Sequence, residues 1–222
     1  MDLQKQLKDI KDHLLRPNYP CVAAVQSFLK GDFLLRSYPR FGSGECASTL
    51  AEDLLHFKRE QKRLNSDYYS LWAVFPESKA DSEAEFEESL WHELSAMHTY
   101  EYKKHNGHPP GDPKFSTNPL DKNFCFSLDG SAFFVVGMHP QSSRKARQFP
   151  YPALVFNLYE QFQKLMDKGT FDPMVQANRA REKVFDGTLN PMVMKYTQDN
   201  EAIKFSGKNN NDEWVCPFKS LV

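Results

Sequence analysis

The chain has 222 residues, of which 40% are apolar and 14% aromatic, with 18 phenylalanines. That length fits one large domain or two small ones and can bury a sizeable core. Lys plus Arg (28) nearly balances Asp plus Glu (29), which removes any charge argument for a nucleic-acid or membrane partner.

No apolar run approaches the roughly 18 residues of a membrane span. The opening stretch MDLQKQLKDIKDHLL alternates charges and lacks the apolar centre of a signal peptide. The expectation is a soluble cytoplasmic protein in which Cys21, Cys46, Cys125 and Cys216 are thiols. No Cys-x-x-Cys or Cys-x-x-Cys-His is present, so neither a zinc knuckle nor covalent haem attachment is signalled.

In chain order, the first helix is expected over Leu3 to Leu15, stopping before Pro17, and a second starts near Cys21. Thr49 to Leu64 is amphipathic, with Leu50, Leu54, Phe57 and Leu64 on one side. Tyr68 to Pro76 reads as a strand. Ser82 and Glu85 form a capping-box signature ahead of a helix from Glu85 to Tyr102. At 100° per residue His98 falls inside its apolar arc and His92 on the opposite face. The paired acids of that helix, Glu87 and Glu88, read as a charged face without a catalytic role.

The Pro- and Gly-rich stretch from His105 to Asp121 is an irregular loop with surface histidines. Two β-prone runs between Asn123 and Pro140 flank Asp129-Gly130, a hairpin turn signature. Pro152 to Asn157 is another strand. Asn157 and Glu160 are expected to cap a helix ending at Gly169, and Asp172-Pro173 opens the next, which ends at Gly187. The tail from Asn190 is mostly loop, with a short strand over Ala202 to Gly207. Paired and interleaved strands together predict one α+β domain over 1–222, a mixed or antiparallel sheet flanked by amphipathic helices.

The richest chemistry lies in GMHPQSSRKARQFP, Gly137 to Pro150. A histidine stands where a buried strand emerges, and Pro140 stops the strand from pairing further. Neutral imidazole serves as a metal ligand, including the axial ligand of haem iron. Arginine pairs bidentately with carboxylates such as haem propionates. His139 with Arg144 and Arg147 therefore fits a haem site in kind, beside the plainer reading of a strand cap with surface ion pairs. Cys216, in a Cys-Pro dipeptide, competes for the axial position, beside its reading as a buried thiol next to Trp214 and Phe218.

Two triplets mirror each other near the chain's ends: Tyr19-Pro20-Cys21 and Cys216-Pro217-Phe218. The prolines stiffen the backbone beside each thiol, and the expectation is that both triplets pack against one shared wall of the core. Between them lie VVGMHP, SRKARQFP, LVFNLYEQF, RAREKVFDGTLNPM and EAIKFSGK, with LWHELSAMH further upstream.

In this combination the chain resembles the YqcI/YcgG family, described by Phe-Pro-Cys near the start and Cys-Pro-Phe near the end. Characterised relatives are haem-dependent oxygenases that N-hydroxylate guanidino groups, as in D-cycloserine assembly and the guanitoxin pathway. The resemblance implies haem b, dioxygen, an electron donor and a small-molecule substrate, with a haem-binding or haem-sensing protein without turnover as the alternative. It implies His139 as iron ligand, with His98 as second choice, and Arg144 and Arg147 as propionate partners. Arg179 and Arg181 are weaker candidates, because two residues apart on a helix they share no face. A guanidino substrate needs a facing acid, for which Glu160 and Glu201 are the candidates. The family's Arg-Gln-Tyr-Ser-Gly-Arg segment is here Ile203-Lys204-Phe205-Ser206-Gly207-Lys208, which loses a Tyr hydroxyl and a planar Arg fork.

Overall fold

The computed structural model describes residues 2–190, 201–211 and 213–221. The first helix, α1 (Leu3–Leu14), ends ahead of Pro17, and α2 (Val22–Lys30) closes on Gly31 at φ 69°. The left-handed conformation costs glycine nothing, so the chain reverses there into β1. β1 (Phe33–Ser37) was not signalled by the sequence pattern: its five residues do not alternate, and most are only half-buried at the sheet's edge. α3 (Ala47–Leu64) then crosses over to β2 (Ser70–Val74), which runs parallel to β1. β2 is buried throughout, as a strand covered on both faces must be.

α4 (Glu83–Lys104) begins where the capping signature places it: Ser82 Oγ accepts the Glu85 N–H at 3.1 Å. β3 (Ser127–Leu128) and β4 (Ser131–Met138) form the expected hairpin, with Asp129 at φ 48° and Gly130 at φ 72°. Two left-handed residues are what a two-residue hairpin turn requires. β5 (Ala153–Leu158) lies between β2 and β4 and is antiparallel to both. The sheet order is β1-β2-β5-β4-β3, a mixed sheet within an α+β fold.

α5 (Tyr159–Asp167) starts one residue later than the expected cap. Leu158 is its N-cap, and Gln161 Oε1 accepts the Leu158 N–H at 3.1 Å; Asn157 stays in the strand. α6 (Phe171–Asp186) carries Pro173 in its first turn, where no N–H is needed. The tail over Ala202 to Gly207 contains no strand. Glu201–Lys204 is a 3-10 turn that buries Ala202, with Phe205 buried just beyond it. Beyond its pairing with β3, β4 still has an open edge, and there Phe205 O accepts the Gly137 N–H at 2.8 Å.

Strand alternation divides the core into two. Leu71, Ala73, Phe133, Val135, Leu154 and Phe156 face α3 and α4. Trp72, Val74, Met138, Ala153 and Val155 face α1 and its neighbours. Fully burying side chains such as Phe57, Phe86 and Phe156 contributes roughly 1.5–3 kcal/mol each. The four cysteines are free. Cys216 belongs to the α4-side core and Cys21 packs at the edge of the other, so the two triplets lie on opposite faces of the sheet. The expected shared wall does not exist. The described residues contain no helix long and apolar enough to cross a membrane.

Candidate functional site

His139 follows directly on β4 and is fully buried. Its imidazole stacks on Phe86 of α4, with ring centroids 4.2 Å apart, so it lies on the α4 side of the sheet. Neither ring nitrogen has a hydrogen-bond partner. Burial, reinforced by the Arg147 guanidinium and opposed by the Glu83 carboxylate, pushes its pKa down to about 4. The side chain is therefore a neutral imidazole with both polar atoms unsatisfied, an uncommon state for a buried group.

The two arginines expected beside it are held by the protein. Arg144 donates to Glu182 at 3.0 Å and to Thr188, with Asp186 3.5 Å away. Arg147 donates to three carbonyls: Gly137 O at 2.9 Å, Phe205 O at 3.2 Å and Lys204 O at 3.2 Å. It ties the end of β4 to the tail. Of the weaker candidates, Arg181 is exposed and Arg179 half-buried on α6.

His98 is buried and His92 exposed, as the helical arc requires. The His98 ring meets Phe218 edge-on at 5.4 Å, its Nε2 is unpartnered, and burial lowers its pKa. It lines a cavity of about 50 Å³ with Glu101, Cys125 and Phe218. Cys216 is buried, and that burial pushes its thiol up to about 12. The candidate acids stand apart: Glu160 is exposed with Lys164 at 3.6 Å, and Glu201 pairs with Lys204 at 2.7 Å.

Several residues of interest gave no sequence signal. Burial pushes the Glu101 carboxyl up to about 7, while the Asp129 backbone N–H it accepts works the other way. Donor atoms of Glu101, His105 and Asp129 lie within 4.8 Å of one another, and the Lys58 ammonium already sits 2.9 Å from Asp129 Oδ2. Because the folded-state pKa of Glu101 is raised above that of the unfolded chain, its stabilising protonated form is complete below about pH 4.3 and is lost as pH rises through 7. Glu101→Gln is thus expected to be roughly 2–3 kcal/mol more stable than the parent chain at pH 8 and equal to it at pH 4, read by denaturant melts at both values.

Glu87, expected on a solvated face, is instead buried. It accepts from Ser206 Oγ at 2.8 Å, Asn210 Nδ2 at 2.6 Å and Lys208 Nζ at 2.9 Å. Lys208 meets this carboxylate as a single point contact.

On the far side of the sheet from His139 lies a cavity of about 160 Å³ between β2, β4, β5 and helices α1, α2, α5 and α6. Trp72, Val136 and Val155 form its floor, with Cys21, Asn157 and Phe162 around it. Cys21 is the N-cap of α2, its Sγ accepting the Ala24 N–H at 3.4 Å, and burial raises its pKa. His139 does not line this cavity.

The YqcI/YcgG family model matches residues 10–219. The chain belongs to that family. The match begins at Ile10, inside α1, and spans both proline–cysteine triplets and every element that follows α1. No curated protein and no solved structure matches.

Within this family member, the fit to haem rests on donor chemistry. A buried, neutral imidazole with two unsatisfied nitrogens is the kind of ligand that haem iron takes. Both nitrogens are enclosed by protein, so an iron atom reaches either one only when neighbouring chain moves.

Proposed function

We propose that this YqcI/YcgG protein is a cytoplasmic haem-binding oxygenase that hydroxylates a nitrogen of a small molecule, a guanidino compound being the class the resemblance implies. The observation that carries the reading is His139, whose two buried ring nitrogens have no partner in the protein. Bound haem b supplies the dioxygen and electron chemistry, with electrons from a separate donor. The chain's part is to present His139 as a neutral ligand, with His98 and Cys216 as alternative donors, and to keep bulk water from the reacting centre. Arg144 and Arg147 serve as propionate partners only by giving up bonds that they make to Glu182 and to backbone carbonyls.

One observation favours the second reading, a haem-binding protein without turnover. Neither Glu160 nor Glu201 lines the described cavities, and each has a lysine partner, so neither expected acid is placed to face a guanidinium. Titration with haemin should give a Soret band at one haem per chain, and His139→Ala should remove it. No band with the parent chain sinks both haem readings. A band that survives His139→Ala but not His98→Ala or Cys216→Ala moves the ligand. Hydroxylated product from a guanidino panel separates the oxygenase from the passive binder.

A further inference from the structure

We propose that the cavity beneath α1, α2, α5 and α6 is a binding site for a single-ring aromatic molecule that carries an amide or similar paired donor and acceptor. The inference is independent of haem, since the sheet separates this cavity from His139.

Three observations carry it. The first is volume. The pocket is partly open to solvent and offers about 160 Å³. Engineered apolar cavities of about 150 Å³ bind benzene. The space suits one substituted ring and is too small for a macrocycle.

The second is the wall. Its floor is the apolar sheet face built by Trp72, Val136 and Val155, with Phe162 at the side, surfaces on which an aromatic ring packs well.

The third is Asn157. It lies in β5 opposite Phe134, pointing into the cavity from the middle of an apolar face. Its carboxamide has no hydrogen bond within the described residues, whereas several of the cavity's other polar side chains are taken up. Ser27 and Ser70 hydroxyls bond each other at 3.0 Å, Gln161 Nε2 donates to Tyr69 O at 3.1 Å, and Asn178 Oδ1 accepts the Val22 N–H at 3.0 Å. Asp67 is paired with Lys168 at 2.5 Å, so no free carboxylate invites a cation. An amide offers one acceptor and two donors, and those of the half-buried Asn157 stay open to an incoming group. A ligand amide satisfies both halves of Asn157 at once, and its ring covers the floor.

The test uses benzamide and toluene, equal in ring and different in the polar group, with binding read by ligand-observed NMR on the full chain. Both are expected to bind. Asn157→Leu should lower the benzamide-to-toluene affinity ratio about tenfold. Val155→Phe, which fills the floor, should abolish binding of both; should it fail to fold by circular dichroism, Ala24→Phe fills the same space from α2. No binding of either probe at millimolar concentration overturns the proposal. So does binding that survives the filling variant, or an affinity ratio that Asn157→Leu leaves unchanged.

Discussion

His139→Phe is expected to resist acid unfolding better than the parent chain, by about 2 kcal/mol at pH 5. The imidazole's folded-state pKa is pushed down to about 4, against about 6.5 in an unfolded chain. Between those values the unfolded chain binds a proton that the folded one refuses. The contribution of the neutral ring is therefore complete above pH 6.5 and is lost as pH falls through 4. Phenylalanine keeps the stacking on Phe86 and removes both unsatisfied nitrogens. If His139 is the iron ligand, the same variant takes up no haem, so a gain in acid stability coincides with a loss of cofactor. Denaturant melts at pH 5 and pH 7, run beside a haemin titration, read both. Equal stability at the two pH values would mean that the ring has a partner and is not the poised ligand proposed.

Glu87→Ala should cost about 2–4 kcal/mol, because two buried polar groups lose their acceptor at about 1–3 kcal/mol each. The loss exceeds that of a surface ion pair, about 0–1 kcal/mol, because three groups depend on this carboxylate. Ser206 and Asn210 would be buried without their acceptor, and Lys208 would lose its counter-charge. Lys208→Arg offers the planar fork that a carboxylate prefers and should leave stability unchanged or raise it by up to about 1 kcal/mol. A loss below about 1 kcal/mol for Glu87→Ala, measured by urea denaturation, would show that the tail is not anchored there.

The helices were legible because their signals are local: Ser82 with Glu85, Gly187 after α6, and the apolar arc that separates His98 from His92. The hairpin at Asp129-Gly130 was legible for the same reason. β1 was not, since Phe33 to Ser37 is short and lacks the period-two pattern by which a half-buried strand is recognised. Glu87 was misread because its partners lie 119 to 123 residues further along the chain, and no helical projection contains them. Asn157 looked like a cap because Asn commonly is one, whereas Gln161 took that role from inside α5. The candidate ligands were found by type, but their surroundings were not. Arg144 and Arg147 carried a sequence signal for charge and none for the carboxylates and carbonyls that occupy them.

The tail's attachment to β4 has a consequence for dynamics. Phe205 O completes the edge of β4 where β3 has ended, so the Gly137 amide proton exchanges with solvent only when the tail lifts away. Gly137 also has no room for a side chain: a Cβ there would come within 2.6 Å of Phe86 Cε1 and 2.9 Å of Phe205 O. One backbone proton thus reports how often the tail parts from the edge of β4, and its exchange rate is a clock for that opening.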